Sequence, residues 1–233
     1  MKQLLFVFAF LPMMVFSQSN FEKAEKLYEE RKWDQSEAVF KKIAQSEPTN
    51  TKVLEYLGDI AGHQKSWDDA LDYYGKLKKA KPSEADYHFK YGGALGMKAL
   101  EVSRFKALGM IDEVRSNFEK AIQLDPKHIE ARWALIELNL QLPGILGGSE
   151  KKAIQYSNEL LQISAVDGHL SRGHIEEYSK RYTKAEQYYK KAIAVGNSKK
   201  TYQKLANLYA NKMKSPEKAK AVLEEYKKKN DNN

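Results

Sequence analysis

Apolar residues recur along this chain at helical rather than strand spacing. In residues 51–84, Leu54, Leu57 and Ala61 fall at i, i+3 and i+7, and Ala70, Tyr74 and Leu77 at i, i+4 and i+7. That pattern predicts two amphipathic helices of about 12–14 residues each. Small residues (Gly58, Ala70, Gly92, Ala153, Ala185) stand where paired helices must approach closely, and Trp33, Trp67 and Tyr182 open the turns between them. Pro48, Pro82 and Pro126 close such patterns at spacings of 34 and 44 residues, each ending a second helix and starting a new unit. One helical hairpin cannot bury its apolar face alone, and stacking supplies the missing partner. The prediction is an all-α solenoid of five or six helix pairs over 18–226, with repeats near 18–50, 51–84, 85–128, 129–165, 166–198 and 199–226.

The repeat has a familiar signature. Leu57-Gly58, Ala61, Trp67-Asp68, Ala70, Tyr74, Leu77 and Pro82 recur in part as Ala24, Trp33-Asp34, Phe40, Ile43 and Pro48, and as Gly173, Tyr182, Ala185, Tyr189 and Ala192. At these offsets the chain resembles the tetratricopeptide repeat family. The resemblance covers nearly all of the chain after residue 17 and implies a right-handed superhelical solenoid whose first helices line a groove for a peptide or partner protein. Carried onto this chain, the groove positions are Glu55, Asp59 and His63, then Phe89 and Met97, then Trp133, Glu137 and Gln141. His174, Tyr178 and Asn207 continue the set. Phe89 and Trp133, large aromatics at positions the repeat core does not require, are the hot-spot candidates.

Two departures from the 34-residue period stand out. The third repeat is ten residues longer, and its apolar periodicity predicts two long helices meeting around Gly109, with Arg104, Phe105 and Lys106 in a tip over Ser103–Asp112. In the fourth, Pro143-Gly144 ends a helix and Ser149 is a natural N-cap for the next. The amides of Gly147 and Gly148 at that helix start, near Lys151 and Lys152, are the alternative site: an envelope ligand-binding loop for a small anion or glycan. The fifth first-helix, around His169, is the least apolar of the array and the one expected to be most mobile.

Catalytic chemistry finds no foothold. His169 and His174 are five apart rather than at the i, i+4 spacing of a helical metal pair, and no HExxH, GxSxG or phosphate-loop ending is present. Zero cysteine excludes disulfides, thiolate metal sites and a cysteine nucleophile. No enzyme activity, cofactor or metal is expected.

Charge and the N-terminus add location. The formal net charge is +8, from 39 basic and 31 acidic residues. Residues 1–165 carry 23 of each sign, so the surplus of 16 over 8 lies after residue 165. Lys2 followed by the uncharged apolar run Leu4–Phe16 predicts a cleaved export signal at 1–17, too short to span a bilayer as a helix. Its short head and Phe16-Ser17-Gln18 junction resemble signals of Bacteroidetes-type Gram-negative bacteria. A periplasmic or secreted chain is therefore expected, with no transmembrane helix after cleavage and no nucleic-acid partner. Lysines on the outer face of the last helix serve as a polar cap, and 227–233 is expected to be a disordered basic tail.

Overall fold

A computed structural model describes residues 20–230; residues 1–19, which include the expected export signal at 1–17, and residues 231–233 lie outside the described residues. Among the described residues the chain is helical throughout, with no strand. The chain divides into two compact units, ending and beginning at Leu124 and Asp125.

In unit 1 the helices are α1 (20–29), α2 (Trp33–Ser46), α3 (Thr51–His63), α4 (Trp67–Ala80), α5 (Ala85–Glu101), the short α6 (Arg104–Leu108) and α7 (Ile111–Leu124). From α2 to α5 each helix packs on the next, and α7 packs on α5 with α6 set aside. Two apolar clusters hold the unit. One joins Ala24, Phe40, Ile43, Val53, Leu57 and Ile60, and the other joins Leu54, Ala61, Ala70, Tyr74, Leu77, Tyr87 and Ala94. Leu54, Leu57, Ala61, Ala70, Tyr74 and Leu77, whose spacing predicted α3 and α4, are among them.

Unit 2 contains α8 (Ile129–Gln141), a single 3-10 turn (Gly144–Leu146), α9 (Glu150–Ile163), α10 (Ala165–Tyr178), α11 (Tyr182–Gly196), α12 (Lys199–Asn207) and α13 (Pro216–Asn230). α12 widens into a π turn over Leu208–Lys212, which carries buried Leu208 and Tyr209 into the core with Leu170, Ala185, Tyr189, Ala192 and Leu205.

The close approaches repeat as the small residues foretold. A β-carbon on Gly58 would stand 2.5 Å from the Tyr74 ring, and one on Gly173 would stand 2.5 Å from the Tyr189 ring. Each tyrosine lies over its glycine and turns its hydroxyl to an acid one or four residues beyond it. Tyr74 donates to Asp59 at 2.7 Å and Tyr189 to Glu177 at 2.7 Å.

Four of the turns within helix pairs share a device that the spacing did not reveal. Arg31, Lys65, Lys180 and Lys214 all have positive φ, between 52° and 60°. At Lys65 the amide of Ser66 reaches the Ala61 carbonyl and that of Lys65 the Gly62 carbonyl, the paired bonds of a Schellman cap. Glycine is the usual residue there because a β-carbon costs about 1 kcal/mol in this conformation. The cation recovers a few tenths to about 1 kcal/mol beside the helix C-terminus. Lys65→Gly is therefore expected to stabilise unit 1 by about 0.5 kcal/mol, read as a higher urea midpoint. A lower midpoint would mean that the charge outweighs the strain.

Three expectations are corrected. The long third repeat is not two long helices meeting at Gly109. α5 stops at Glu101 because Val102 and Ser103 turn extended, and a separate α6 follows. No residue of α6 is buried, so the apolar periodicity there reflects no packed face. The chain after 226 is not a disordered tail through its described length: α13 continues to Asn230. Lys229 donates to Glu225 at 2.7 Å and to the Tyr202 hydroxyl at 3.2 Å, and three lysines in the last turn oppose the negative helix end. α10 is not a loosely held helix either, since Gly168, Leu170, Ser171, Gly173, Ile175 and Glu176 are all buried.

Candidate functional site

The groove residues read from the sequence divide between the two units. In unit 1, Glu55 and Asp59 lie one turn apart on α3, and Lys90 of α5 reaches both, at 2.7 Å and 2.8 Å. Burial alone would push the Lys90 ammonium down, but the Asp59 and Glu55 carboxylates outweigh it and hold the group above the usual lysine range. Lys90 is thus a fixed cation, and it ties α5 to α3.

Beside this triad opens a cleft of about 320 Å³ lined by Glu25, Tyr28, Lys52, Glu55, Tyr56 and Asp59. Its aromatic wall is pinned from behind. Tyr28 packs edge-on against both Trp33 and Tyr56, at centroid distances of 5.0 Å and 4.9 Å, while Tyr56 stacks on Phe40 at 4.7 Å. The Tyr56 hydroxyl donates to Glu25 at 2.8 Å, and its pKa is raised by burial and by that carboxylate. His63 stacks on Trp33 at 4.3 Å with the rings 13° from parallel. Glu55 and Asp59 therefore sit on the cleft, with His63 on the neighbouring aromatic stack. Glu25, Tyr28, Tyr56 and Lys90 were not singled out by sequence.

Phe89 is half-buried against Phe118, centroids 5.9 Å apart, and Met97 is exposed at the far end of α5. In unit 2, Trp133 is half-buried where two apolar clusters meet and donates its indole N–H to Asp167 at 3.0 Å. Its ring therefore spans α8 and α10 as a packing element. Glu137 pairs with His174 Nε2 at 2.7 Å and accepts from Gln141 at 3.3 Å. The His174 hydrogen bond holds the Glu137 carboxyl below the usual range. Tyr178 and Asn207 are exposed.

The loop at 143–149 is built, but as structure. The amides of Gly147, Gly148 and Ser149 donate to the carbonyls of Gly144, Pro143 and Asn139 at 3.0, 3.1 and 2.9 Å. Gly147 needs its positive φ of 81°, and a β-carbon on Gly148 would collide with the Leu142 carbonyl. Ser149 caps α9 by accepting from the Lys152 amide. Amides already committed to internal carbonyls are not presented to an anion, so the alternative anion or glycan site of the sequence reading is withdrawn. Among the described residues, no three His, Asp or Glu side chains converge as a metal ion would require, and no helix is long and apolar enough to cross a membrane.

Comparison with known proteins agrees with this architecture. A tetratricopeptide repeat family model matches residues 21–85, and the model for the plant-specific mitochondrial import receptor subunit TOM20 matches residues 68–153. No curated protein matches the chain by sequence. Among solved structures, a thermophilic tetratricopeptide repeat protein of Thermus thermophilus is 15% identical with a TM-score of 0.66, over 83% of this chain and 99% of that one. A tetratricopeptide repeat protein of Parabacteroides merdae is 19% identical, TM-score 0.62, over 90% and 78%. PilW, a type IV pilus biogenesis factor, is 16% identical, TM-score 0.63, over 92% and 91%. At these identities the likeness establishes the fold alone. With helix pairs at the predicted period and glycine–tyrosine contacts repeated from one unit to the other, residues 21–85 match the tetratricopeptide repeat family and the chain has the tetratricopeptide repeat fold.

Proposed function

We propose that this protein is a non-catalytic interaction scaffold of the bacterial cell envelope, exported by its first 17 residues, that binds a peptide or partner-protein segment in the cleft between α1 and α3. The observation that carries the reading is the cleft itself. Its tyrosines are locked by ring packing and hydrogen bonds before any ligand arrives, so little side-chain ordering is left for binding to cost. Tyrosine walls and carboxylates at the rim suit an extended segment bearing apolar and cationic side chains. The surplus of positive charge lies elsewhere in the sequence, which leaves polyanions such as nucleic acid outside the proposal.

The test is selection of peptides from a random library on the immobilised protein, followed by titration against variants. Tyr28→Ala and Glu55→Gln are each expected to weaken a selected peptide by about tenfold, on the order of 1.4 kcal/mol. Melting temperatures measured in parallel separate lost binding from lost folding. Selected peptides that bind both folded variants as tightly as the parent protein would remove the cleft from the proposal.

A further inference from the structure

The stretch from Met97 to Leu108 exposes four large apolar side chains: Met97 at 43%, Leu100 at 71%, Phe105 at 88% and Leu108 at 46%. It belongs neither to the cleft nor to the core, because α6 has no buried residue and packs chiefly on α5. Phe105 stands between Arg104 and Lys106, both exposed; α6 carries no acidic residue, and Glu101 at the end of α5 is the acidic side chain of the stretch. Lys98, one turn before Glu101, is already paired with Asp68.

A five-residue helix is too small to supply the roughly 800 Å² per partner of a stable protein interface. A second copy meeting it about a two-fold axis would set Arg104 and Lys106 against their own symmetry mates. An anionic lipid surface fits both features at once. A phenyl ring and leucines enter the boundary between headgroups and acyl chains, while the flanking cations remain among the phosphates. No described helix can span a bilayer, so such contact is interfacial.

We propose that α6 and the end of α5 form a wedge that docks the protein reversibly on anionic lipid. This does not depend on the cleft, and it places the sequence departure in the third repeat on a different surface from the peptide site.

The experiment uses the chain from Gln18, which keeps every described residue, with sedimented vesicles of equimolar phosphatidylcholine and phosphatidylglycerol or of phosphatidylcholine alone. The parent protein is expected to bind the mixed vesicles and not the neutral ones. Phe105→Ala combined with Leu108→Ala is expected to reduce binding about tenfold, and Arg104→Gln with Lys106→Gln to remove the preference for anionic lipid. A Phe105→Trp variant is expected to show a blue-shifted emission increment on vesicle addition. Because α6 contributes nothing to the core, all these variants should keep the parent melting temperature. Binding unchanged in the Phe105/Leu108 variant would assign adsorption to the C-terminal lysines and overturn the proposal. So would no binding by the parent, or a self-association that Phe105→Ala abolishes without any vesicle binding.

Discussion

Replacing Gly168 by alanine is expected to destabilise unit 2 by about 3 kcal/mol, at the upper end of the usual overpacking range. The added β-carbon would stand 2.4 Å from Leu161 Cα, 2.6 Å from its Cβ and 2.7 Å from its amide nitrogen. Those are mainly backbone atoms of α9, so no side-chain rotation relieves the clash and the two helices must separate. Separation has a second cost. The Gly168 carbonyl accepts from Ser157 at 3.2 Å and from Ser171 at 3.0 Å, and both serines are buried. Pulling α10 outward breaks the bonds of Ser157, on α9, to the Gly168 carbonyl and the Ser171 hydroxyl. That leaves the buried Ser157 hydroxyl short of a partner, at about 1–3 kcal/mol, while the Ser171 bond within α10 survives. A loss of that size corresponds to a fall of roughly 10 °C or more in the melting temperature of a unit this small. Gly93 provides the opposite case, since nothing lies within 4 Å of its added β-carbon. Gly93→Ala within α5 should raise stability by about 0.5–1 kcal/mol through helix propensity. Calorimetry of both variants decides the matter: a Gly168→Ala melting temperature within a degree or two of the parent would show that the crossing tolerates the methyl.

The same crossing explains what was and was not legible in the sequence. Periodic Leu, Tyr and Ala positions in 51–84 announced their helices because those helices bury side chains, and side-chain hydrophobicity is what periodicity detects. α10 buries only Leu170 and Ile175 as large apolar side chains and is held closely by Gly168, Ser171 and Gly173, whose contribution is the absence of bulk, so a close-packed helix read as a weak one. The reverse failure occurred at the end of α5 and in α6, where Leu100, Phe105 and Leu108 extended the apolar pattern without a partner to bury it. Repeat offsets picked out Glu55 and Asp59, which line the cleft. They did not reveal Lys90, because a lysine that closes an acidic pair from the next repeat has no local signature. Trp133 shows the limit of reading hot spots from residue type, since its indole is engaged by Asp167 and by the core on both sides. The positive-φ lysines were equally hidden, the ordinary sign of that cap being glycine.

Arg181→Met is expected to cost about 3 kcal/mol at neutral pH, because it strips a buried carboxylate of one of its two cations. Glu176 lies on α10 with its side chain only 4% exposed, hydrogen-bonded by Arg181 and, at 3.1 Å, by Arg172. Arg181 also reaches Glu150 at the start of α9, which Ser179 bonds at 3.0 Å, so one guanidinium ties α9, α10 and the turn into α11. Burial raises the Glu176 pKa, but the hydrogen bonds from Arg181 and Arg172 outweigh it and hold the carboxyl below its ordinary value. A group depressed in the folded state adds stability that is fully present above its unfolded pKa of about 4.3 and is lost as pH falls through the lower folded value. The deficit of Arg181→Met relative to the parent should therefore be full at pH 7 and shrink progressively on acidification below about pH 4. Urea unfolding of the parent and the variant across this pH range, followed by helical circular dichroism, measures the deficit. Glu176→Gln in the Arg181→Met background should restore part of the loss at pH 7, since the amide needs no counter-charge. If the deficit is the same at both ends of the pH range, or if the double variant is no more stable than Arg181→Met alone, the penalty comes from lost packing of the arginine rather than from the carboxylate it neutralises.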